Sequence, residues 1–138
     1  MTKVISPFMV LMLCFLSACF GNSSQTGSTV SNSPGYQRIT AETAYQMMQE
    51  LNAFVLLDVR TEGEFREGHI AGATLIPVNE LERRAPTELP DRSAVILVYC
   101  RAGVRASNAA RTLAGMGYTQ VFNIGGTIDW PYGIVNRN

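Results

Sequence analysis

Charge is scarce in this chain. Asp, Glu, Lys and Arg make up 16% of its 138 residues, eleven acidic against eleven basic, and the formal net charge is zero. No basic run exists anywhere. Binding to nucleic acid by phosphate neutralisation is therefore not expected, and no polybasic patch is present to hold a membrane surface. Lysine is almost missing: Lys3 stands alone, so any cationic site beyond the first residues must use arginine. Histidine and tryptophan occur once each, as His69 and Trp130, and cysteine three times. Apolar residues, in contrast, reach 46%, which excludes a wholly disordered chain. The length suits one domain and is too short for two ordinary ones.

The apolar residues are unevenly placed. Residues 4–20, VISPFMVLMLCFLSACF, carry no charge and follow Lys3. A positive start, a short apolar run and small residues at its end form the layout of a secretory signal. A spanning helix needs about 20 apolar residues; this run is shorter, contains Pro7 and stops at Gly21-Asn22-Ser23-Ser24. Leu16-Ser17-Ala18-Cys19 resembles the lipobox of bacterial lipoproteins. That resemblance implies cleavage after residue 18, lipidation of Cys19 and export to the cell envelope, with a periplasmic domain held to a membrane by its N-terminal lipid. Phe20, in place of Asp, favours the outer over the inner membrane where there are two. Cys14 then leaves with residues 1–18 and Cys19 is used by lipid, so Cys100 is the one thiol left in the folded part. An exported protein usually hides its cysteines in disulfides, and a lone thiol points to chemistry or to a partner outside the chain.

Residues 19–35 are Ser, Gly, Asn and Thr with almost no bulky side chain, the composition of a flexible tether. The folded domain is expected over 36–138. Strand patterns fall at 37–39, 53–59, 73–78, 94–99 and 120–124. Between them lie helix patterns at 41–51, with Ala44, Met47, Met48 and Leu51 on one face, and at 104–116, with Ala106, Ala109, Ala110 and Leu113 on one face. Thr61 with Glu64 reads as a capping box for a short helix ending near Gly68, Asn79 as the cap of a helix over 80–84, and Gly125-Gly126 as the opening of a last short helix containing Trp130. Pro86 and Pro90 are expected to bound an irregular stretch. Strands alternating with helices imply parallel pairing through crossovers. AFVLLDV and AVILVY are too apolar to have a wet face. The fold class is therefore α/β: a small, doubly wound, mainly parallel five-stranded sheet with helices on both faces.

In such a sheet ligands bind beyond the carboxyl ends of the central strands. Cys100 follows AVILVY at such an end, within Cys100-Arg101-Ala102-Gly103-Val104-Arg105. The following helix points unpaired N–H groups and its positive dipole end at this loop, and two arginines add forked donors. All of this favours a negatively charged sulfur, so Cys100 is expected to be a nucleophile rather than a buried structural cysteine.

Phosphatases of the Cys-x5-Arg type need arginine six residues after cysteine, where this chain has Ala106. The shorter Cys-Arg-x-Gly-x-Arg spacing resembles the active loop of the rhodanese sulfurtransferases. Leu57-Asp58-Val59-Arg60, Glu64-Phe65, Gly68-His69-Ile70-Ala71-Gly72-Ala73, Ile76-Pro77 and Glu80-Leu81 resemble that family's first signature, and Gly125-Gly126 with Trp130 its last. Trp130-Pro131-Tyr132-Gly133 departs from the family, which has a slightly longer helix before its glycine. The resemblance implies transfer of a sulfane sulfur from thiosulfate or a similar donor, through a Cys100 persulfide, to a thiol or cyanide acceptor. It also implies that no metal or organic cofactor is needed. The N–H groups of Arg101, Ala102, Gly103, Val104 and Arg105 would hold the persulfide, with Arg101 and Arg105 attracting the anionic donor. Asp58 and Arg60 would support neighbouring loops, and His69 would belong to a structural turn. An alternative is a persulfide-carrying or anion-binding module that acts with a partner protein and does not turn over. Redox exchange ranks lower, because a chain cut before Cys19 has no second free thiol to resolve a disulfide.

Overall fold

The structure, a computed structural model, describes residues 31–33 and 35–136. The proposed signal, Cys19 and most of the tether lie outside the described residues. The elements run β1 (Ser31–Ser33), β2 (Tyr36–Arg38), α1 (Ala41–Glu50), β3 (Val55–Asp58), α2 (Glu62–Glu67), β4 (Thr74–Leu75), α3 (Leu81–Glu88), β5 (Val95–Cys100), α4 (Val104–Gly115) and β6 (Gln120–Gly126). Short 3-10 turns occupy Val78–Glu80 and Thr127–Asp129.

One sheet holds all the strands in the order β1-β2-β6-β5-β3-β4. The five strands from β2 onward pair in parallel, as the alternating pattern requires. The sixth, β1, is an addition to the expected five: it pairs antiparallel with β2, Ser31 opposite Arg38 and Ser33 opposite Tyr36. The last part of the expected tether is thus a strand. A polar Ser-Asn-Ser run carries no alternating pattern to reveal it, and Gly35, at φ 90°, reverses the chain between the two strands.

Each central strand alternates between two cores. Leu57, Val59, Ile96, Val98 and Cys100 pack with Leu81, Ala85, Ala109, Ala110 and Leu113 on the α3/α4 side. Leu56, Leu97, Tyr99 and Ile124 pack with Ile39, Ala44, Ile70 and Trp130 on the α1 side. Both faces are covered, which is why these strands read as continuous apolar runs. Thr40 caps α1, accepting from Thr43 N at 3.1 Å, and Thr61 and Glu64 form the expected reciprocal capping box.

The segment after β4 differs from expectation. Instead of a helix over 80–84 capped by Asn79, a 3-10 turn leads into α3, which continues through Pro86. The stripe Leu81, Ala85 and Leu89 faces the core at helical spacing and is buried throughout. Tyr118 Oη donates to Ala85 O at 3.0 Å and Leu89 O at 2.7 Å, so carbonyls at this helix end are satisfied. Packing and these bonds outweigh the proline. At the other end of the chain, the expected final helix is the 3-10 turn over Thr127–Asp129, and Trp130 follows it.

Candidate active site

β5 ends on Cys100 itself, which is 2% exposed and is the one free cysteine among the described residues. The chain then turns through Arg101 and Ala102 to Gly103, which takes φ 90° and opens α4. This turn aims Gly103 N–H back at the sulfur, 3.0 Å from Cys100 Sγ. A hydrogen bond from a backbone donor at a helix N-terminus stabilises negative charge on that atom.

The loop is clamped from β6. Asn123, fully buried, donates from Nδ2 to Ser107 Oγ at 2.7 Å and to Gly103 O at 3.3 Å, while its Oδ1 accepts from Gly125 N at 2.9 Å. Ser107 in turn donates from Oγ to Gly103 O at 3.1 Å. Gly126 lies so close to the loop that a Cβ there would overlap the Arg101 carbonyl and stand 2.6 Å from Ala102 N. Ile128 N donates to Arg101 O at 3.2 Å just beyond it. The Gly125-Gly126 pair is the floor against which the cysteine loop rests.

The expected site residues take separate places. Arg101 and Ala102 are exposed, and Val104 turns its side chain outward at 72% exposure. Arg101 has no side-chain partner among the described residues. Arg105 does: its Nη1 and Nη2 donate to the two carboxylate oxygens of Glu64, each at 2.7 Å. Glu64 Oε2 also accepts from Thr61 N and Thr61 Oγ1 at 3.0 Å. The Arg105 guanidinium, aided by these Thr61 bonds, pulls the Glu64 carboxyl down from 4.5 to about 2, and the Arg105 pKa is raised by the same pair. The capping box of α2 is thereby tied to the cysteine loop.

Asp58 and Arg60 lie deeper. Arg60 Nε donates to both Asp58 oxygens at 3.0 Å and Nη2 donates to Asp58 Oδ2 and to Gly68 O at 2.7 Å. Burial works against the Arg60 charge, and the Asp58 carboxylate more than offsets it, so the Arg60 pKa is raised. The guanidinium sits 5.7 Å from the centre of the Tyr99 ring, whose hydroxyl accepts from Ile70 N at 3.1 Å. Burial, then Asp58, pushes the Tyr99 hydroxyl well above its ordinary pKa. This pair braces β3 against the turn at Gly68, a supporting position. His69 belongs to that turn: its ring stacks on Phe65 at 3.7 Å, its Nδ1 meets Phe65 O at 2.9 Å, and its backbone pairs with Val135.

A groove of about 790 Å³ lies between α2 and the segment after β4, lined by Phe65, His69, Leu75 and Pro77, and Cys100 does not reach it. Loop geometry, not concavity, marks Cys100 as the candidate. A shallower depression joins Arg101 to Arg60, Glu64, Gly68 and Thr127. Among the described residues, no three His, Cys, Asp or Glu side chains gather as a metal ion would need.

Sequence reasoning missed Asn123, Ser107 and Arg38. Asn123 had a signal, a polar residue inside the apolar strand VFNI. Arg38 had none: it is one arginine at the end of a short strand, yet its Nη2 stands 3.7 Å from where a Cβ on Gly103 would be.

Comparison with known proteins places these features in context. The rhodanese-like domain profile matches residues 40–130. The chain is 40% identical over 73 residues to the thiosulfate sulfurtransferase PspE of Escherichia coli, covering 53% of this chain and 70% of that protein. It is 36% identical over 94 residues to a sulfurtransferase of Allochromatium vinosum, covering 67% of this chain and 85% of that one. Among solved structures, a rhodanese with anions from E. coli superposes with a TM-score of 0.58 at 36% identity, covering 62% of this chain and all of the other.

Proposed function

The chain belongs to the rhodanese-like domain family, and from that membership we propose that it is a sulfurtransferase working through a persulfide on Cys100. The observation that carries this reading is the Gly103 N–H held 3.0 Å from Cys100 Sγ in a loop at the start of α4. The relatives named as sulfurtransferases support the reaction class. The E. coli rhodanese solved with anions supports an anionic donor.

With thiosulfate as donor, the Cys100 thiolate attacks the outer sulfur. The S–S bond of thiosulfate breaks, its electron pair leaves with sulfite, and a persulfide anion remains on Cys100. The total charge is unchanged. Gly103 N–H, already aimed at the sulfur position, stabilises the anion, and the rigid floor at Gly126 keeps the loop in place. A thiophilic nucleophile, a thiol or cyanide, then attacks the terminal sulfur, and the Cys100 thiolate returns as leaving group. One transfer becomes two displacements at a single side chain.

The full chain is to be weighed by intact-mass spectrometry before and after thiosulfate. The expected result is a gain of one sulfur atom, removed by cyanide and absent in Cys100→Ala. A wild-type protein that gains no sulfur while Cys100 is readily alkylated overturns the thiosulfate reading and leaves other sulfane-sulfur donors or a non-turnover module. Cys19 as a lipidated N-terminus, with the domain held at the periplasmic side of a membrane, belongs to the same proposal. An N-terminal peptide bearing acyl chains on Cys19 is its expected signature, and an unmodified Cys19 in the envelope fraction refutes it.

A further inference from the structure

The donor's negative end needs a cation, and Arg105 is already engaged. Both of its Nη groups are taken by Glu64 at 2.7 Å, so its charge is matched within the protein. Arg38 and Arg101 differ. Both are exposed, and neither makes an ion pair or side-chain hydrogen bond among the described residues. Arg38 ends β2, in parallel register with Asn123, the residue that clamps the loop. Its Nη2 stands 3.7 Å from the Cβ position of Gly103, and Gly103 is the residue whose N–H holds Cys100 Sγ. The bond path through Gly103 limits the distance between that nitrogen and the sulfur to about 9 Å. Asp129 shares a depression with Arg38 but makes no ion pair with it.

Unpaired arginines beside the positive end of α4 are a poor arrangement for stability, because dipole and charges repel. The same arrangement suits an anion that arrives with its charge spread over several oxygens, which a guanidinium fork grips well. We propose that Arg38 is a donor-positioning residue: its guanidinium holds the oxyanion end of an anionic sulfane-sulfur donor while the outer sulfur faces Cys100, so the site prefers anionic over neutral reagents. This rests on the sulfurtransferase reading above and adds to it a residue outside the cysteine loop and outside the motifs that resemble the family.

The test compares the full chain with Arg38→Ala and Arg38→Lys in two assays. In thiosulfate turnover, Arg38→Ala raises KM about tenfold with kcat kept within about twofold, the loss of one charge-assisted contact, and Arg38→Lys keeps most of the affinity. In alkylation of Cys100, the rate with anionic iodoacetate falls about fivefold while that with neutral iodoacetamide holds, and the wild-type preference for the anion shrinks with added salt. An unchanged KM, or equal slowing with both alkylating reagents, overturns the role of Arg38 and leaves the sulfurtransferase reading standing. A wild-type protein that forms no persulfide overturns both.

Discussion

Glu64 joins the start of α2 to the cysteine loop, and replacing it with glutamine isolates that link. The substitution keeps the size and one acceptor oxygen. It removes the charge and turns an NH2 group toward Arg105 or Thr61. The fall of the carboxyl from 4.5 to about 2 corresponds to about 3 kcal/mol. That is an upper bound, because the Arg105 and Glu64 side chains are 34% and 27% exposed and water screens the pair. About 1–2 kcal/mol is the expected loss for Glu64→Gln at pH 7, read from urea unfolding. The pH dependence gives a sharper test. The folded protein holds this carboxyl deprotonated more firmly than the unfolded chain does. Its stabilisation is therefore complete above about pH 4.5 and is lost as pH falls through about 2. The stability difference between wild type and Glu64→Gln should shrink across that window and nearly close at its acid end. Activity should move the other way: with Arg105 released beside Cys100, KM for thiosulfate falls at low salt. A difference that is constant with pH, or below about 0.5 kcal/mol at pH 7, refutes the assignment of the depressed carboxyl to this pair.

Other substitutions probe the clamp and the brace. Asn123→Ala leaves the half-buried Gly125 N–H without its acceptor and takes one donor from Gly103 O and Ser107 Oγ, which keep their bond to each other; a loss of about 1–2 kcal/mol in urea unfolding is expected, with altered Cys100 alkylation, and an unchanged alkylation rate counts against the clamp. Gly126→Ala places a methyl group on the Arg101 carbonyl, so thiosulfate turnover should fall at least a hundredfold while the protein, destabilised by about 1–3 kcal/mol, stays folded by circular dichroism. Asp58→Ala strands the Arg60 guanidinium in a buried site. It should cost about 3–5 kcal/mol in thermal or urea unfolding, and a cost near zero shows that water reaches the pair.

What could be seen from the sequence followed from how each feature is encoded. The parallel sheet was legible because AFVLLDV and AVILVY are apolar on both faces, and the capping box because Thr61 and Glu64 declare it by spacing alone. The loop was legible because Cys100, Gly103 and the following helix are contiguous. Three things were hidden, each for a physical reason. β1 pairs with β2 through a polar Ser-Asn-Ser run that has no alternating apolar pattern to read. α3 runs through Pro86 because the stripe Leu81, Ala85 and Leu89 and the Tyr118 hydroxyl supply from elsewhere in the fold what the local sequence withholds. The pairing of Arg105 with Glu64 crosses 41 residues, so no local window joins them.

That last pairing changes the electrostatic reading of the loop. Read as sequence, Arg101 and Arg105 are two cations that follow a cysteine in one loop. Folded, one is neutralised by a carboxylate from α2, and an arginine from β2 comes near in its place. Glu64 thus fixes the start of α4 through Arg105, while the unpaired charges at the loop are those of Arg101 and Arg38. Stability and donor attraction at this site are therefore carried by different arginines. Exchanging the carboxylate, so that Glu64→Gln frees Arg105 in an Arg38→Ala background, should restore part of the lost thiosulfate affinity. A double variant no better than Arg38→Ala would show that the position of the cation, and not only its charge, governs the donor.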